Sequence, residues 1–106
     1  DIQVASNFER FLYYHFEQDS DRLVAFMQEF AANGAASIGA PPDTQLMSSV
    51  SVNREQTLAA MHEVNTQFGY VLDPHTAVGY HAARNHLNQQ MESTDVFVVA
   101  TRIFRR

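Results

Sequence analysis

The chain has 106 residues, a formal net charge of -5 and no cysteine. That length predicts one domain, and no apolar run approaches the ~20 residues of a membrane span. The acidic balance excludes general nucleic-acid binding. The missing cysteines exclude a disulfide framework and thiolate zinc sites, and fit a cytoplasmic protein.

Nothing at the start of the chain has the pattern of a signal peptide. All seven basic residues are arginine, with no lysine anywhere. Arginine stays protonated and is no amine nucleophile, so no side chain here forms a Schiff base. The first residue is Asp1, not methionine, and a processed chain or a portion of a longer one is expected.

Asp1–Val4 alternates weakly and reads as a short extended segment. Ser6 with Glu9 three residues on matches a capping box, in which each side chain satisfies an amide at a helix start. Phe8, Phe11, Leu12, His15 and Phe16 then fall on one helical face. Asp19–Asp21 begins a second helix, with acids where the helix dipole favours them. Leu23, Phe26, Met27, Phe30 and Ala31 form its apolar face, and Gly34 closes it.

Residues 35–45, holding Gly39, Pro41 and Pro42, read as a flexible loop. Leu46–Val52 suggests a short, partly exposed strand. Asn53, with Gln56 three residues on, starts a third helix whose buried face is Leu58, Met61, Val64 and Phe68. Gly69 stops it, because glycine takes the left-handed conformation after a last turn without steric cost. Tyr70–Leu72 is a short apolar run of strand formers.

Asp73 and Pro74 then open a fourth helix: the carboxylate accepts from first-turn amides, and proline gives up a donor that has no partner there anyway. The small residues Ala77, Gly79, Ala82 and Ala83 allow that helix to pack closely. It fades near Asn88–Gln90, and Glu92–Asp95 is a polar turn. Val96–Ala100 is an unbroken apolar run, the pattern of a strand covered on both faces.

The predicted fold class is therefore α/β, with four helices and a small, largely parallel sheet. It includes a C-terminal strand-helix-strand unit, a right-handed crossover. The whole chain, 1–106, is read as a single partial domain. The strands of that unit end at Asp73 and Thr101, at the edge where ligands bind in open α/β sheets. Two parallel strands alone make a poor sheet. Either Asp1–Val4 and Leu46–Val52 extend it, or its neighbours belong to other sequence or another chain.

His75, His81 and His86 invite a metal reading. Spacings of six and five residues put no neighbouring pair on one helical face, and no carboxylate joins them at zinc-site spacing. No metal site is expected. Asp73, His75 and Thr76 admit acid–base chemistry or a helix cap with His75 in the first turn. The scattered glycines form no phosphate-cradling loop.

Three stretches resemble threonine synthase. Asp1-Ile2-Gln3-Val4-Ala5-Ser6-Asn7-Phe8-Glu9-Arg10 is similar to a family segment containing SNFER. Val50-Ser51-Val52 through Gln56 is similar to its next helix start. Gly69-Tyr70-Val71-Leu72-Asp73-Pro74-His75-Thr76-Ala77-Val78-Gly79 resembles its GYLLDPHTAVG. The order is the same from residue 1 to about 101.

This resemblance implies the C-terminal part of a fold type II pyridoxal 5'-phosphate enzyme. Such an enzyme is a lyase of threonine biosynthesis that converts O-phosphohomoserine and water to threonine and phosphate. In the family the Schiff-base lysine and the phosphate loop lie upstream, so no cofactor is expected bound covalently to this chain, and alone it should be inactive. The resemblance implies Thr101 as cofactor-binding, beside the pyridine nitrogen, and Asp73, His75 and Thr76 as active-site wall. After Thr101 the family reads AHPAKF, whereas this chain has Arg102-Ile103-Phe104-Arg105-Arg106. Expected partners are the substrate and either the rest of the enzyme or a second copy; the alternative is a non-catalytic binding or regulatory domain derived from such an enzyme.

Overall fold

The structure is a computed structural model that describes residues 6–43, 46–91 and 93–100. Four helices follow in order: α1 (Ser6–His15), α2 (Ser20–Asn33), α3 (Arg54–Phe68) and α4 (Pro74–Gln89). The chain divides into two compact units, Asp1–Ser48 and Ser49–Arg106.

In the first unit Leu12 and Phe16 are buried, and the Phe16 ring stands 5.9 Å from Phe26 of α2. The predicted aromatic face of α1 is present as a row of rings, Phe8 on Phe11 on His15 on Phe16. Arg22 lies over Phe16, 5.0 Å from the ring centroid, where the negative face of the ring attracts a cation. His15 is half-buried and donates through Nε2 to the Ile38 carbonyl (3.1 Å), tying the loop to α1. It is a structural histidine.

The turn from α1 to α2 contains no glycine. Gln18 N–H donates to Tyr13 O (2.8 Å) and Glu17 N–H to Tyr14 O (3.0 Å), the paired bonds of a Schellman ending. Glu17 and Gln18 are left-handed, at φ 57 and 64, a conformation costly to residues with a Cβ. Asp19 then caps α2, accepting from Asp21 N–H (3.0 Å) and Arg22 N–H (3.1 Å). Gly34, at φ 71, ends it.

In the second unit the capping box of α3 is complete. Gln56 N–H donates to Asn53 Oδ1 and Asn53 N–H to Gln56 Oε1, each at 2.9 Å. Gly69, at φ 65, closes the helix through its bond to Asn65 O. The core is Ala60, Val64, Leu72 and Ala77, with Met61 and Tyr80 packed against it. The buried face of α3 thus differs from the expected one: Leu58 and Phe68 are 53% and 68% exposed. The small Ala60, not the large end residues, meets Ala77 of α4, because close helix approach selects for small side chains.

The predicted sheet is absent. Among the described residues there are four helices and no strand, so the α/β class and the strand-helix-strand unit are corrected to an all-helical arrangement. Leu46–Val52 and Tyr70–Leu72 both fall wholly among the described residues, and neither is paired. Nor is Val96–Ala100, where Phe97 and Val99 are 92% and 77% exposed. The physical reason is that a strand is a relation between two backbones: each needs a neighbour to take its N–H and C=O groups. Apolar, β-branched composition makes a segment suitable for pairing and supplies no partner. The Asp1–Val4 segment lies outside the described residues.

Candidate functional site

The stretch from Leu72 to Ala77 carries the predicted site residues. Leu72 is buried in the core, and it brings Asp73 to the N-cap of α4 in an extended conformation, φ -72 and ψ 158. Pro74 then occupies the first helical position, where its fixed φ suits the helix and its missing N–H costs nothing.

Both carboxylate oxygens of Asp73 are used locally. Oδ1 accepts from His75 N–H (3.0 Å) and Thr76 N–H (3.2 Å), and Oδ2 accepts from the Thr76 hydroxyl. Asp73 and Thr76 are 3% and 5% exposed. The Thr76 hydroxyl is the main cause holding the Asp73 carboxyl below its ordinary range. Burial opposes it, while the two amides and the charge of His75 reinforce it. Of the two readings of Asp73, His75 and Thr76, this geometry is the helix cap. The His75 imidazole makes no bond to Asp73; only its backbone N–H does. An ionised carboxylate whose oxygens are saturated by donors is a poor proton acceptor, so no Asp–His relay is assembled here.

His75 itself is exposed and lines a groove with Pro74, Val78 and residues of α3. The structure therefore brings together three of the four predicted site residues, two as a buried cap and one at a rim. Thr101, the predicted cofactor contact, lies outside the described residues. His81 pairs with Asn85 (3.1 Å) and His86 with Gln90 (3.4 Å), each one helical turn apart. Among the described residues no group of His, Asp or Glu is placed to hold a metal ion.

One cluster was not foreseen. Arg84 donates through Nη1 to Glu63 Oε1 and to the Tyr80 hydroxyl (3.1 Å), and that hydroxyl reaches Glu63 Oε1 at 3.3 Å. Tyr80 first, then Glu63, raises the Arg84 pKa still further. Tyr80 and Arg84 are one turn apart on α4 and were legible as a pair; Glu63, on α3, was not.

No protein-family model and no solved structure matches the chain. Two curated proteins do. Threonine synthase of Pseudomonas aeruginosa is 38% identical over 87 residues, covering 79% of this chain. Threonine synthase of Schizosaccharomyces pombe is 30% identical over 94 residues, covering 74% of it. Over the stretch it spans, the chain belongs with the threonine synthases. It spans 19% and 18% of the length of these two relatives. In this threonine synthase segment the described residues hold no lysine, and the α4 amides of His75 and Thr76 are already taken by Asp73. The described residues therefore offer no lysine amine for a Schiff base, and the first-turn amides of His75 and Thr76 are not open to a phosphate. No helix among them is long and apolar enough to cross a membrane.

Proposed function

We propose that this chain is the C-terminal part of a threonine synthase, and that the whole enzyme converts O-phosphohomoserine and water to threonine and phosphate on pyridoxal phosphate. The observation that carries the reading is the likeness to two threonine synthases from a bacterium and a yeast. In this reading the segment supplies a wall of the active site. The buried pair Asp73 and Thr76 fixes the turn, His75 faces the site from the first turn of α4, and Thr101 stands beside the pyridine ring.

The amine that carries the cofactor belongs to other sequence, which agrees with the absence of lysine here and makes this chain inactive alone. The test supplies pyridoxal phosphate and O-phosphohomoserine to the purified chain and measures phosphate release. None is expected, and turnover by this chain would refute the segment reading. Joining the chain to the remainder of a threonine synthase, in place of its matching stretch, should restore turnover.

A further inference from the structure

Among the described residues, Glu17 and Gln18 alone hold a positive φ without being glycine, at 57 and 64. The helix endings after α2 and α3 make the same left-handed turn with Gly34 and Gly69. Between α1 and α2 the connection is Phe16-Glu17-Gln18-Asp19, with no glycine and no proline. Glutamate and glutamine are good helix formers and poorly suited to a left-handed turn. The segment is strained in the conformation it has and suited to another, a continuous helix.

The flanking side chains agree with that second conformation. At 3.6 residues per turn, Phe8, Leu12, Phe16, Leu23, Phe26 and Phe30 fall within an arc of about 80° on a helix running unbroken through α1 and α2. Asp19 is the one polar residue on that stripe, and in the hairpin it caps α2. Within one chain the stripe is incompletely covered. Leu12 and Phe16 are buried, whereas Leu23, Phe26 and Phe30 are half-buried and α2 has no buried residue. The contacts that span the turn are the Phe16 ring on Phe26 and His15 Nε2 on the Ile38 carbonyl. A second copy supplies the far partner of each equally well.

We propose that two copies of this chain exchange α2. Residues 17–19 join α1 and α2 into one helix, two such helices run antiparallel, and the α2 of each copy packs on the α1 of the other. The occupant is a second copy because the surface to be covered already fits its own α2. The contacts between α1 and α2 are remade, and Glu17 and Gln18 leave the left-handed region. What is given up is the cap by Asp19. A short connection under strain favours such an exchange. No residue of the second unit takes part, so the exchange stands apart from the threonine synthase reading.

The test refolds the full chain from urea at high concentration and follows it by size-exclusion chromatography with light scattering. A dimer that dissociates on dilution is expected. Isotope-labelled and unlabelled copies refolded together should then show filtered nuclear Overhauser effects from the Phe16 ring of one copy to the Phe26 ring of the other. Glu17→Gly combined with Gln18→Gly should raise the dimer dissociation constant at least about a hundredfold, because glycine suits the turn and weakens a continuous helix. Asp19→Ala, which removes the cap, should lower it. A chain monomeric at every concentration, a dimer with no Phe16–Phe26 effect between copies, or an unchanged constant in the glycine variant would each overturn the proposal.

Discussion

Leu72→Ala should be among the most damaging single truncations in the second unit. Leu72 is 7% exposed and packs with Ala60, Val64 and Ala77. The change removes three carbons at about 0.8 kcal/mol each. The site lies close to the surface and can partly collapse, so the added cavity cost is small and the total is about 2–3 kcal/mol. A chain of this size has a stability on the order of 5 kcal/mol at the low end, so about half is lost. Urea unfolding followed by far-UV circular dichroism reads the change, and amide exchange in α3 and α4 locates it. Phe68→Ala is the control: at 68% exposure it should cost under about 0.5 kcal/mol. If Phe68→Ala costs as much as Leu72→Ala, the helix face inferred from spacing is the buried one and the core described above is wrong.

Glu17→Gly should stabilise the first unit by about 0.5–1 kcal/mol, because glycine takes φ 57 without a Cβ clash; a lowered urea midpoint would refute the left-handed geometry. Ala77→Leu should destabilise by about 1–3 kcal/mol through overpacking, since Ala77 is fully buried; a rise in thermal midpoint would show the α3–α4 contact to be looser than described. Asp73 is held below its ordinary value of 3.8, so its contribution is complete above that value and fades as pH falls through the lower folded one. The stability gap between the native chain and Asp73→Asn should therefore narrow only in acid. An NMR titration of the Asp73 carboxyl with a midpoint at or above 3.8 would contradict the cap, and Thr76→Val should move that midpoint up.

The membership in a family was legible because it rests on strings of residue types such as Asp73-Pro74-His75-Thr76, which need no coordinates. The helices were legible for a related reason. Asn53 with Gln56, Gly69, Gly34 and Asp73 with Pro74 each act on amides and carbonyls within a few residues, so the signal and the bond lie in the same stretch. Of the candidate site, the sequence pointed to Asp73, His75 and Thr76 but left open whether they formed a cap or an acid–base group. Burial decided between them, since Asp73 saturated by three donors holds a turn.

What the chain settled by itself, then, is local: where each of four helices begins, where two of them stop, and the absence of any lysine side chain for Schiff-base chemistry. Tertiary structure alone decided which faces are buried, that Glu63 reaches Arg84 across 21 residues, and that Arg54 and His75 line one groove. It also decided that Val96–Ala100 is no strand. The reason is the same in each case: a helix closes its hydrogen bonds within itself, whereas a buried face, a salt bridge or a strand exists only by virtue of a second element that local sequence does not name.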